Sequence, residues 1–112
     1  MPDNIIQETI KLLSGDLEIE PKYFPVVVDE SEAWDQLKKL VAEKVTYLME
    51  NDVEHFKYVL YRLDINERKV KTVLAESPYG EAANGIADLI LKREIEKAQT
   101  RQQYSSGSGD WL

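Results

Sequence analysis

Residues 53–74 constrain the fold most, because they are predicted to form two short amphipathic helices that meet at a sharp corner. The apolar residues of each helix recur at helical spacing, and residues 63–66 interrupt that period. If Asn66 is the N-cap of the second helix, Ile65 and Val70 take the positions of a hydrophobic staple. We therefore expect a fixed angle between the two helices, which are predicted to run from Val53 to about Leu63 and from Glu67 to about Glu76. Their predicted buried residues are Val53, Phe56, Val59, Leu60, Leu63, Val70, Val73 and Leu74.

Three further helices are predicted from the same periodicity, over residues 3–14, 31–49 and 78–103. Residues 16–30 lack the helical period and contain two prolines, so an extended segment is expected there. Its aromatic residues and valines are expected to lie across the helices: Tyr23, Phe24, Val26, Val27 and Val28. The predicted fold is all-α, a compact bundle of about five helices with this extended Pro/Val-containing segment between helices 1 and 2.

The ends of these helices carry recognisable capping residues. Gly15 stands where a left-handed residue would terminate the first helix, and Asp29 or Ser31 would cap the second. Ser77 and Pro78 form an N-cap followed by proline at the first helical position, which predicts the start of the last helix.

Length and composition indicate one domain in a reducing compartment. The chain has 112 residues and no cysteine, which argues against a disulfide-stapled secreted protein. The N-terminus resembles no signal peptide and no apolar run reaches a membrane span, so a cytoplasmic location is expected. We predict a single helical domain over residues 1–104. Residues 105–112 form a predicted flexible Ser/Gly tail ending in Asp-Trp-Leu, either an expression remnant or a docking motif.

No residue pattern predicts catalysis, a cofactor or a metal site, and the protein is interpreted as a non-enzyme. The sequence lacks a glycine-rich phosphate loop and a nucleophile elbow. His55 is the only histidine, and its pairing with Asp52 at helical spacing is too little for a di-metal bundle site. The paired acids Glu94 and Glu96 are interpreted as solvated surface.

Nucleic-acid binding is the alternative function, because two helices at a corner also describe a helix-turn-helix motif. The second helix would then be the recognition helix, with Arg68, Lys69 and Lys71. The formal charge of −7 argues against this reading, since residues 1–54 hold 13 acids against 5 bases. The acidic first half would repel phosphates.

A sequence resemblance covers about residues 34–104. Residues 60–64 read L-Y-R-L-D, and the last helix carries R-E-x-x-K-x-x-T-R as Arg93, Glu94, Lys97, Thr100 and Arg101. With its leucine-rich helix, the chain resembles a family of short, uncharacterised all-helical bacterial proteins. The resemblance implies one compact helical unit and brings no activity or site residues with it.

The favoured function is a small interaction or regulatory protein that binds a protein partner. The candidate surface combines the flank of the corner with the polar end of the last helix, and the tail adds an aromatic residue. Homodimerisation through the small residues at the start of the last helix is an alternative, because backbones can approach closely there. The candidate partner-binding residues are Tyr58, Tyr61, Arg62, Arg93, Lys97, Arg101 and Trp111.

Overall fold

Five α-helices make up most of the computed structural model, which describes residues 5–78 and 80–107, with side chains as far as residue 103. The all-α prediction is confirmed, and the described residues form no strand. A short 3-10 turn, Pro21–Tyr23, lies between the first two helices. The helices are α1 (Ile5–Asp16), α2 (Glu30–Asn51), α3 (Val53–Arg62), α4 (Glu67–Glu76) and α5 (Ala82–Gly107).

Helix α5 is the centre of the packing. It lies along α2 and α1 and also contacts α4, while α3 packs on α2. Apolar side chains from all five helices meet in one core, and each fully buried one stabilises the fold by about 1.5–3 kcal/mol. The largest fully buried apolar side chains are Leu13, Leu17, Leu37, Val41, Val45, Val59, Leu63, Ile86 and Ile90.

Side-chain caps begin three of the helices. The carboxylate of Asp29 accepts a hydrogen bond from the Glu32 N–H at 3.0 Å, which decides between the two predicted caps of α2. Asp52 alone separates α2 from α3, and its carboxylate accepts from a backbone N–H of α3. Asn66 accepts from the Arg68 N–H at 2.9 Å, and α4 has the predicted bounds. Such caps each contribute about 1 kcal/mol.

The corner between α3 and α4 is a backbone motif that holds the two helices at one angle. Asp64 adopts a left-handed conformation with φ of 59°. The Ile65 N–H donates to the Leu60 carbonyl and the Asp64 N–H donates to the Tyr61 carbonyl, both at 3.0 Å. This pair of bonds defines a Schellman motif, which satisfies carbonyls that the helix end would otherwise leave free.

Three predicted helix ends are wrong. Helix α1 continues through Gly15 to Asp16, and Glu18, with φ of 56°, takes a left-handed conformation instead. Helix α5 begins at Ala82 and not at Pro78, because Gly80 with φ of 84° turns the chain before the helix can form. Helix α5 also continues to Gly107, so it includes the first three residues of the predicted tail. Trp111 lies outside the described residues.

The segment between α1 and α2 lies across the helices only in part. Phe24 and Val27 pack against the core. Val26 and Val28 are 86% and 90% exposed, so their predicted burial is wrong. An extended chain turns neighbouring side chains to opposite sides, and a run of adjacent valines cannot all face one surface.

The small residues at the start of α5 are buried to different degrees, and Ala82, Ala83 and Gly85 are only partly buried. Ala87 is fully buried, and a Cβ added at Gly85 would stand 2.7 Å from Cγ1 of Val73. Helices α4 and α5 therefore approach closely at Gly85. A second copy could reach Gly85 only by displacing α4, but Ala82 and Ala83 keep part of their surface exposed, and the homodimer stays a prediction.

Candidate functional site

An apolar groove runs between α3 and α4, and Met49 of α2 also lines it. It encloses about 580 Å³, a volume within the range of ligand-binding pockets. Apolar side chains form most of its lining, and the charged ones lie at its edges. We call it the α3–α4 groove. It is lined by Met49, Val53, Phe56, Lys57, Leu60, Tyr61, Ile65, Glu67, Val70, Lys71 and Leu74.

Helical spacing explains why the groove forms. The α3 residues in it lie at intervals of three and four, from Val53 to Tyr61, and the α4 residues do so from Glu67 to Leu74. Val59 of α3 points instead into the core, where it is buried. Each helix therefore carries apolar surface on more than the face that the core covers.

The predicted burial of Val53 and Leu74 is consequently wrong. They are 47% and 45% exposed, because no described element packs over this side of the two helices. Sequence periodicity identified these residues as apolar but could not show that the stripe is wider than the core needs. The width of the stripe was no signal, because Val53, Phe56, Val59, Leu60 and Leu63 together span only about 120° of the helix circumference, the usual width of a core-facing stripe.

Charged side chains line the two edges of the groove. Lys57 on α3 lies 3.7 Å from Glu54, and Lys71 on α4 lies 3.9 Å from Glu67. Both ion pairs are exposed, so each is worth no more than about 1 kcal/mol. The lysines can therefore exchange these partners for others at little cost.

The predicted flank of the corner divides between two sides of the protein. Tyr61 lines the groove and is 84% exposed. Tyr58 is half exposed and stacks on His55 with the ring centroids 5.9 Å apart. Arg62 turns away toward α1, where its guanidinium lies 3.7 Å from the Asp16 carboxylate.

The predicted basic residues of α5 are engaged within the chain. The Arg93 guanidinium donates to the Leu63 carbonyl at 2.9 Å and so ties α5 to the corner. Lys97 contacts Asp16 at 2.8 Å, and Arg101 contacts Glu8 at 2.9 Å. The polar second half of α5 thus lies against α1 of the same chain. Of the described candidate residues, only Tyr61 belongs to the groove.

A charged cluster with a buried acid, Glu94, joins α1, α3 and α5. It consists of Asp16, Arg62, Glu94 and Lys97, and we call it the Glu94 cluster. Glu94 is fully buried, so its interpretation as solvated surface is wrong. Its nearest cation is the Lys97 ammonium at 3.4 Å, and among the described residues neither carboxyl oxygen has a hydrogen-bond partner of good geometry.

Burial and mutual repulsion set the protonation of the two acids. Removal from water and the neighbouring Asp16 carboxylate raise the pKa of Glu94 to about 8, against a weaker opposing effect of Lys97. Burial also opposes ionisation of Asp16, but the neighbouring Glu94 carboxyl, the hydrogen bond from Lys97 and the positive charges of Lys97 and Arg62 lower its pKa overall. At neutral pH the cluster therefore holds one proton on Glu94 and one negative charge on Asp16.

Asp52 and His55, which were considered as a metal-binding pair, make contacts that stabilise the fold. Asp52 accepts the His55 N–H as a helix cap, and the His55 ring nitrogen Nε2 lies 3.6 Å from Glu18. Across residues 5–78 and 80–107, no group of three or more acidic or histidine side chains is placed to hold a metal ion. Nor does any helix in those residues have the length and apolar character needed to cross a membrane.

The fold and the groove together describe a small all-α domain with an open apolar groove between two helices. No protein-family profile, curated protein or solved structure matches the chain.

Proposed function

We propose that the protein is a non-enzymatic interaction domain that binds an amphipathic helix of a partner protein in the α3–α4 groove. The observation that supports this proposal is the groove itself, whose two walls are helices with uncovered apolar stripes. Contiguous exposed apolar surface of this kind is typical of protein-binding sites.

A helix is the occupant that fits the shape of the groove. Its walls are the ten-residue helices α3 and α4, each about 15 Å long. A partner helix of about 10–12 residues would span that length, with apolar anchors at intervals of three and four residues. The exposed side chains of Val53, Tyr61 and Leu74 provide the apolar contacts at the mouth of the groove.

A bacterial cytoplasm is the setting we propose for this function. The absence of cysteine supports a reducing compartment. The L-Y-R-L-D sequence and the motif that begins at Arg93 support the bacterial family. Neither point is needed for the groove to bind a helix.

The test is a display library of 30-residue peptides tiled from the proteome of the source organism. Peptides that bind the full-length protein are measured again on Val53→Asp and Leu74→Asp, which place a carboxylate in the groove. Val28→Asp is the matched control, because Val28 is also an exposed apolar residue but does not line the groove. We expect at least tenfold weaker binding to the two groove variants and unchanged binding to Val28→Asp. Peptides that bind all three variants alike would contradict the proposal.

Other occupants give different results in the same experiment. If Leu74→Asp converts a dimer into a monomer in sedimentation, the groove holds a second copy of the chain. If Trp111→Ala strengthens peptide binding, the groove holds the C-terminal tail. Either result would replace the partner helix in our proposal.

The salt dependence of the affinity distinguishes nucleic-acid binding from peptide binding. A DNA duplex should bind with an affinity that falls steeply as salt rises and that drops in Lys69→Glu. An affinity that is weak and independent of salt would remove this alternative.

A further inference from the structure

We infer that the partner helix is acidic, with carboxylates on both sides of its apolar stripe that contact Lys57 and Lys71. This inference rests on the proposed function of the groove. It specifies the charge of the partner helix and the two residues that bind its carboxylates.

The two lysines are placed to hold a helix from both sides. Lys57 belongs to the α3 wall and Lys71 to the α4 wall, and both line the groove, where they outnumber its one acidic residue, Glu67. Their side chains are 67% and 75% exposed. A helix lying in the groove would therefore present one flank to each ammonium group.

The present partners of the lysines do not compete strongly with a bound carboxylate. Glu54 and Glu67 belong to the same helices as the lysines that they contact, at 3.7 and 3.9 Å. Both distances exceed those of a strong charge-assisted hydrogen bond, about 2.7–2.9 Å. A carboxylate brought in by a partner, in a groove from which water is displaced, would gain more from the same ammonium.

The distribution of charge over the chain favours the same choice. Residues 53–76 hold five basic and four acidic side chains, whereas the whole chain has a formal charge of −7. The rest of the protein is therefore strongly acidic and repels an acidic helix. Such a helix would be directed to the α3–α4 groove, because electrostatic complementarity steers encounter and suppresses wrong placements.

The groove-dependent peptides of the display library test the inference directly. We expect their helices to carry more Asp and Glu than Lys and Arg beside the apolar stripe. We also expect the tightest peptide to bind the double variant Lys57→Glu/Lys71→Glu about tenfold more weakly at 50 mM salt. A version of that peptide with its acids changed to lysine should bind the double variant better than the wild type.

The control is Lys11→Glu/Lys39→Glu, which makes the same change in net charge at exposed positions outside the groove. It should change the affinity less than twofold. Equal weakening by both double variants, or groove-dependent peptides with basic or neutral flanks, would overturn the acidic partner and leave the groove as a binding site. If no peptide depends on Leu74, the proposed function itself fails.

Discussion

The Glu94→Gln substitution is expected to stabilise the protein above neutral pH and to leave it nearly unchanged at pH 5. Glu94 is fully buried, and its pKa rises from 4.5 to about 8 on folding because of burial and of Asp16. The folded protein therefore binds the Glu94 proton more tightly than the unfolded chain does. By linkage, the free energy of unfolding falls as pH rises from about 4.5 to about 8.

The size of the effect follows from the two pKa values. Each unit of difference corresponds to about 1.4 kcal/mol, so the interval from 4.5 to about 8 corresponds to about 5 kcal/mol. The Lys97 side chain is 30% exposed and gives water some access to the cluster, which reduces this figure. We expect wild type to lose about 2–4 kcal/mol between pH 5 and pH 8 through this group. Glutamine has nearly the shape of a protonated glutamate and cannot ionise, so the variant avoids the loss.

The assay is urea unfolding followed by far-UV circular dichroism at pH 5, 6, 7 and 8. The difference between the variant and wild type should grow with pH and reach about 2–4 kcal/mol at pH 8. Lys97→Met should be measured beside it, because loss of the only cation within 4 Å of Glu94 in the described residues should raise the Glu94 pKa further. If Glu94 is ionised and paired with Lys97 at neutral pH, Glu94→Gln will instead destabilise the protein at pH 8. That result, or a difference that is independent of pH, would refute the reasoning.

Four further substitutions test the local physical arguments, and urea unfolding at pH 6 measures each. Asp64→Gly should raise the free energy of unfolding by about 0.5–1 kcal/mol, because φ of 59° costs an L-residue more than glycine loses in chain entropy; a decrease would show that the Asp64 side chain stabilises the corner. Gly15→Ala should stabilise the protein by about 0.5–1 kcal/mol, because the added Cβ meets nothing within 4 Å and alanine favours the helix. Gly85→Ala should destabilise it by about 1–3 kcal/mol, because the added Cβ would collide with Val73. Equal effects of the two substitutions would exclude close packing of α4 on α5. Thr9→Val should stabilise the protein by about 1 kcal/mol, because the buried Thr9 hydroxyl has no hydrogen-bond partner in the described part of the chain. A loss of stability would indicate that this hydroxyl does form a hydrogen bond.

The elements that sequence reasoning predicted best are those fixed by short-range interactions. Helix α4 has the predicted bounds because Asn66 and the corner residues act within a few positions of each other. The start of α5 was missed because the positive φ of Gly80 overrides the proline signal at Pro78. The local sequence does not show whether the helix begins at Pro78 or after the turn at Gly80, because the packing of the helices decides between them.

The features that sequence reasoning missed depend on distant residues. Glu94 resembled a surface acid, since its contact with Asp16 appears only when α1 packs on α5. The groove was missed for the opposite reason. Val53 and Leu74 have the spacing of core residues, and only the absence of a covering element in the described structure leaves them exposed.

Methyl NMR of the full-length protein with the tightest groove-dependent peptide tests the central claim most directly. With isoleucine, leucine and valine methyl groups labelled, we expect intermolecular contacts at Val53, Leu60, Ile65 and Leu74 and a helical pattern within the bound peptide. The methyl groups of Val26 and Val28, which are exposed elsewhere, should show none. A peptide that is bound in an extended conformation, or that contacts the protein away from the α3–α4 groove, would contradict the account.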